Sequence, residues 1–126
     1  IGEYLLKKVE KLFIGIMFSL FMNYAVYTTE SFDIEMFKLS KEEQEKIRRM
    51  FLQLKDNPYV GDQLRYKHLR EKRLREKRIY YLVYDDMHAV LVAAISGKKD
   101  QKATINHIIS CFDEYRFYLE KRLKEN

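Results

Sequence analysis

Apolar residues along this chain recur in two rhythms, one suited to helices and one to strands, and the switches between them lay out the elements. The segment YAVYT, residues 24–28, is short, aromatic and β-branched, which predicts a strand. Over residues 30–39, Phe32, Met36 and Leu39 fall at helical spacing, which predicts one short helix. Ser40 opens a longer one. Ser40 followed by Glu43 is a capping-box pattern, in which hydroxyl and carboxylate satisfy each other's backbone N–H groups at a helix start. Ile47, Phe51 and Leu54 continue as an inward stripe until Asn57-Pro58 stops the helix near Asp56. The two helices form an αα-hairpin, and NPYVGDQ after it reads as a loop with turn chemistry at Gly61 and Asp62.

The next stretch is ambiguous on local grounds. Residues 69–78 read LREKRLREKR, a five-residue word written twice. Its Leu, Arg, Glu and Lys are good helix formers, and Glu71 to Arg75 is an i,i+4 pair. The neighbours favour a sheet: IYYLVY from Ile79 and AVLVAAIS from Ala89 are almost wholly β-branched, aromatic or small apolar, with Asp85-Asp86 able to turn between them. A third strand is needed beside them, so residues 66–74 are expected to supply it, with a turn near Arg75 and Glu76. Gly97 ends the last strand and Asp100 can cap a final helix. There Ile105, Ile108, Ile109, Phe112, Tyr115, Leu119 and Leu123 make a sustained apolar stripe suited to docking on a sheet. The predicted class is α+β: an antiparallel sheet, formed by an N-terminal strand plus a three-stranded meander, with an αα-hairpin after the first strand and a C-terminal helix.

With 126 residues the chain has the length of one ordinary domain. Composition agrees: 47% hydrophobic and 34% charged residues with one Pro exclude a disordered or fibrous class. Charge placement changes the picture more than its total. Residues 65–78 hold eight Lys or Arg against two Glu, an excess of six, so the rest of a chain with net charge +5 sums to −1. A near-neutral body with one basic segment points to a directed anionic partner such as a phosphate backbone. Cys111 is the only cysteine, which excludes an intrachain disulfide and leads to a cytoplasmic reading. Ahead of the first strand, LFIGIMFSLF at residues 12–21 is about half the length a membrane-spanning helix needs. Three readings stand for residues 1–22: an extension ahead of the domain, a helix packed on it, or a targeting or membrane segment following Lys7, Lys8 and Lys11. The first is preferred, with the domain proper at 23–126 and no membrane partner.

Several chemistries lack their motifs. The sequence contains no GxxxxGK[ST], GxGxxG, CxxC or HExxH, and the isolated His68, His88 and His107 do not have metal-ligand spacing. No metal and no cofactor is expected. What remains is a basic sheet surface with interleaved tyrosines. Strand alternation sends Arg70 and Lys72 one way with His68, and Lys67, Leu69, Glu71 and Arg73 the other. On the next strand Arg78, Tyr80, Leu82 and Tyr84 share a face, with Ile79, Tyr81 and Val83 opposite. Lys98 and Lys99 follow the third strand, so these cations can converge into a groove for RNA phosphates, where Tyr80 or Tyr81 could stack on a base. The plain alternative is a solvated, charge-guarded sheet edge.

The succession GDQLRYKHLREKR, KRIYYLVYDD and VLVAAISGKKDQ resembles the RelE/ParE superfamily of type II toxin–antitoxin toxins, on the RelE side, over about residues 23–115. The resemblance implies a compact sheet with helices on one face and a ribosome-dependent mRNA endoribonuclease that inhibits translation and is neutralised by a cognate antitoxin. Its partners would be that antitoxin, the ribosome and mRNA. In such an enzyme the ribose 2′-hydroxyl attacks the adjoining phosphate without a metal. Carried over by position, Lys72 matches an active-site lysine, and Arg70 or Leu74 falls where a second basic residue stands. Tyr81 takes the place of a third-strand arginine with Arg78 nearby, and Lys98 and Lys99 match a basic pair. The implied catalytic set is Lys72, Arg78, Tyr81, Lys98 and Lys99, with Lys67, Arg70, Arg73, Arg75 and Lys77 binding RNA. The family's helix tyrosine falls at Ile105 or Asn106, neither of which is an acid or base, and His107 beside them is open to a catalytic or a bland reading. A ParE-like inhibitor of gyrase and a non-catalytic relative that binds RNA or antitoxin are the alternatives.

Overall fold

The structure, a computed structural model, describes residues 23–125, so the readings of residues 1–22 lie outside the described residues. The elements run β1 (Ala25–Thr28), α1 (Glu30–Phe37), α2 (Lys41–Asp56), a 3-10 turn at Pro58–Val60, β2 (Asp62–Gln63), β3 (Leu69–Leu74), β4 (Lys77–Tyr84), a 3-10 turn at Asp85–Met87, β5 (Ala89–Gly97), α3 (Gln101–Ser110) and α4 (Phe112–Glu125). Thr29 caps α1 by accepting from the Phe32 N–H. Ser40 and Glu43 form the expected capping box at the head of α2.

The five strands are ordered β1-β5-β4-β3-β2. All neighbouring pairs are antiparallel except β1 and β5, which run parallel with Ala25 beside Ala89. The sheet is therefore mixed where an antiparallel one was expected. The reason is topological: the α1–α2 hairpin returns the chain across one face, which leaves β1 free to enter alongside β5 in the same direction. The final helix also differs from expectation, because it is broken at Cys111 into α3 and α4, and Asp100 sits at the N-cap without a side-chain cap bond.

Helices cover both faces, not one as the resemblance implied. On the first face Phe32 of α1 and Ile47, Met50 and Leu54 of α2 pack on Ile79, Tyr81, Val83, Val90 and Val92. On the second, Ile108 of α3 and Leu119 of α4 pack on Leu69, Tyr80, Leu82, Leu91 and Ala93. The remaining positions of the C-terminal apolar stripe join this second cluster. Burial on both faces explains why β4 and β5 read as nearly continuous apolar runs instead of alternating ones.

Register follows from the β3–β4 hairpin. Leu74 pairs with Lys77, leaving Arg75 and Glu76 as a two-residue loop. Arg75 has φ 55°, a left-handed conformation at the first loop position that normally favours glycine. The pairing sets Arg73 opposite Arg78, Lys72 opposite Ile79, Glu71 opposite Tyr80 and Arg70 opposite Tyr81.

At the far end of the sheet, Asp85 accepts from the hydroxyls of Tyr24 at 2.7 Å and Tyr59 at 2.5 Å. The Tyr59 bond first, then the Tyr24 bond and the Lys67 charge, hold the Asp85 carboxyl below the usual aspartate range; burial pushes Tyr24 up to about 12, with Asp85 adding to the shift. Nearby, Gly61 N–H donates to the buried Tyr81 hydroxyl at 2.9 Å. A Cβ on Gly61 would come within 2.7 Å of both Glu71 O and the Tyr81 hydroxyl, so glycine is required there for close approach.

Two outcomes are expected. Tyr81→Phe leaves the buried Gly61 N–H without its acceptor and should cost about 1–3 kcal/mol in urea denaturation; unchanged stability would contradict the packing described. Since Asp85's folded pKa is depressed, its contribution is present above the unfolded value and is lost as pH falls through the folded one. Acid titration of stability should therefore lose part of its slope below about pH 5 in Asp85→Asn, and an identical slope would contradict the assignment.

Candidate RNA-binding cavity

A cavity of about 750 Å³ opens where the β3–β4 turn meets the end of β5. Arg73, Arg75, Lys77, Arg78, Lys98 and Lys99 line it. Glu43 and Glu76 are its two carboxylates, so cations predominate on the wall. Each reaches the cavity for a local reason. The tight loop carries Arg75 to the rim, where it forms an ion pair with Glu42 of α2. Strand pairing sets Arg73 and Arg78 side by side on one face. Lys98 and Lys99 are exposed on the link between β5 and α3, because β5 ends beside Lys77 and the chain turns there.

Arg78 differs from the others. Its side chain is only 6% exposed, and its Nε lies 2.8 Å from Glu71 Oε1. That contact is ionic and lacks hydrogen-bond alignment, so the buried Nε–H has no hydrogen-bond acceptor. The Glu71 carboxylate is held from the other side by Gln101 Nε2, at 3.2 and 3.4 Å from its two oxygens. Glu43 is occupied as well, accepting from the Ser40 hydroxyl at 3.1 Å.

Not every expected site residue is brought into this cavity. Lys72 points to the opposite face of the hairpin, as alternation along a strand requires, and lines a neighbouring hollow of about 380 Å³ between α2 and β3; Arg73 borders both. Tyr81 is fully buried in the first core, where burial raises its pKa, so it presents no surface for stacking. Tyr80 is likewise fully buried, with its hydroxyl 2.8 Å from Ser96 Oγ. Arg70 bonds the carbonyls of Lys67 at 3.0 Å and Gly61 at 3.2 Å, and its guanidinium lies 4.9 Å from the Tyr59 ring centre. Lys67 lies 6.0 Å from the same ring. These two cations serve the loop that leads into β3, and neither lines the cavity. His107 lines a different hollow, beside Ser96 and Glu35, and its Nε2 is 3.7 Å from Cys111 Sγ. Ile105 packs into the second core and Asn106 is exposed.

The residues that sequence reasoning missed are Glu71, Glu43 and Gln101. For Glu71 a signal existed: the two-residue turn fixes the register, which puts Glu71 and Arg78 on one face in neighbouring cross-strand positions. Gln101 could not be found that way, because its contact depends on how α3 docks. Among the described residues no group of three or more His, Cys, Asp or Glu is placed to hold a metal ion. Nor is any described helix long and apolar enough to cross a membrane.

No family model and no curated protein matches the chain. Solved structures do. A mutant of the E. coli toxin RelE in the free state superposes with a TM-score of 0.61 at 18% identity, covering 70% of this chain and 96% of its own. The toxin–antitoxin complex RelBE2 from Mycobacterium tuberculosis gives 0.53 at 21% identity, covering 60% and 92%. The archaeal RelE–RelB complex from Pyrococcus horikoshii OT3 gives 0.56 at 15% identity, covering 60% and 96%. The mixed sheet with its hairpin of helices and its basic end is thus built on the fold of the RelE toxins.

Proposed function

We propose that this protein is a RelE-like toxin: a cytoplasmic, ribosome-dependent mRNA endoribonuclease that works without a metal, inhibits translation and is neutralised by a cognate antitoxin. The gathering of Arg73, Arg75, Lys77, Arg78, Lys98 and Lys99 around one cavity, on this fold, carries the reading. The toxin–antitoxin complexes among the structural neighbours support the antitoxin partner.

The chemistry suits such a wall. The ribose 2′-oxygen forms a bond to the adjoining phosphorus while the bond to the 5′-oxygen breaks, leaving a 2′,3′-cyclic phosphate and a 5′-hydroxyl. The 2′-hydroxyl gives up a proton and the leaving oxygen gains one. Negative charge grows on the phosphoryl oxygens during the exchange, so cations fixed around them stabilise the transition state more than the ground state. On this reading the exposed Lys98 and Lys99 meet the phosphate, with Arg73, Arg75 and Lys77 around the β3–β4 turn beside them. Lys72 contributes from the adjoining hollow if the RNA strand passes over Arg73.

One observation favours a second reading, a non-catalytic relative that binds RNA or antitoxin. The position of the family's helix tyrosine is taken by half-buried Ile105 or by Asn106, and neither moves a proton.

Brief induction followed by mapping of mRNA 5′ ends should show cuts at codons occupying the ribosomal A site. Scattered ends, gyrase-dependent DNA damage or no new ends would each contradict the proposal. In a translating extract, Lys98→Gln/Lys99→Gln should cut about a hundredfold more slowly, with stability unchanged because both side chains are exposed. Undiminished cutting would remove these lysines from the site.

A further inference from the structure

Arg78 is buried, and its Nε–H lacks an aligned acceptor. Among the described residues it donates no hydrogen bond to the protein; its Nε is sealed from solvent, and the side chain lines the basic cavity. Directly across the ladder stands Arg73, a like charge on the same face. Such a pair is destabilising, and a sealed Nε–H without an aligned acceptor adds to the cost. Among the described residues the ion-pair partner is Glu71, which offers its charge but not an aligned acceptor, and which Gln101 holds in place from α3.

We propose that Arg78 is the deep phosphate-binding group of the cavity and that Glu71 is its built-in counter-ion, which keeps the affinity for a ground-state phosphate low. The proposal deepens the reading of the cavity as a phosphate site and rests on it. A phosphodiester carries one negative charge, and its pull on Arg78 is opposed by the carboxylate 2.8 Å from Nε. The same repulsion acts on every phosphate that enters, so Glu71 tempers the attraction of the surrounding cations. Gln101 is the positioning residue that keeps the carboxylate from swinging away.

The sign of the effect separates this role from simple support. If Glu71 merely held the cavity together, its replacement would weaken anion binding. If it is a counter-ion, Glu71→Gln removes the opposing charge while keeping the shape, and anion binding tightens.

Inorganic phosphate is the probe, titrated into the full chain and followed by calorimetry and by the rise in unfolding temperature. Glu71→Gln should bind phosphate on the order of tenfold more tightly than the parent, and Arg78→Gln should lose the response. Unchanged or weaker binding in Glu71→Gln overturns the proposal. Should that variant not fold, Glu71→Asp, which withdraws the carboxylate by one methylene, is expected to show a smaller tightening, and none would overturn it equally. Cleaved mRNA with no tightening sinks the counter-ion alone. Tightening without cleavage sinks the endoribonuclease and leaves Arg78 and Glu71 as a phosphate receptor and its counter-ion.

Discussion

The two-residue loop at Arg75–Glu76 sets the register of β3 against β4, and the placement of the charged residues depends on it. A slip by one residue would exchange the faces of the whole strand, sending Arg73 towards α2 and Lys72 towards the cavity. The loop holds this register with Arg75 in a left-handed conformation, fastened at its tip by the ion pair to Glu42. Non-glycine residues in that conformation carry strain that the surroundings must offset. Here the strained residue is also a rim cation of the cavity, so the backbone cost and the positive charge lie in the same residue.

Six cations around one hollow repel one another, and the fold offsets this with carboxylates that are themselves restrained. Glu42 and Glu43 come from the head of α2, where acidic side chains also favour the helix dipole. Glu71 comes from β3 and is tied to α3 through Gln101. The cavity is thus stitched to both helical layers, and the remaining positive excess is what an RNA backbone would neutralise. The opposite end of the sheet is organised differently. There Tyr24, Tyr59 and Asp85 form a hydrogen-bonded cluster, with Lys67 and Arg70 against the Tyr59 ring, and the cations serve the loop that leads into β3.

Much of the fold was legible because local and tertiary signals agreed. The capping box at Ser40 and the stripe from Ile105 to Leu123 needed no knowledge of the partner surface. The doubled word was harder, since its propensity is helical and only the need of β4 for a neighbour makes it a strand. The parallel pairing of β1 was not legible, because four residues at a sheet edge carry no directional signal. The break at Cys111 was hidden as well: the apolar stripe runs straight through it. Of the site, the union of Lys98 and Lys99 with the second half of the doubled word was readable from composition and order. The exclusion of Tyr81, Lys67 and Arg70 was not, because it depends on burial beneath Gly61 and on packing around Tyr59. Alternation alone did place Lys72 and Arg73 on opposite faces.

On the proposed reading, RNA phosphates are gathered by the cations of the Arg73–Arg78 turn and the Lys98–Lys99 link. Titration of isotope-labelled protein with a short single-stranded RNA, followed by the amide and arginine side-chain NMR signals, tests it most directly. Shifts are expected to concentrate at residues 73–78 and 97–99, with Lys67, Arg70 and Tyr59 silent. Shifts concentrated around Tyr59 and Asp85, with the turn and the lysine pair unmoved, would contradict it.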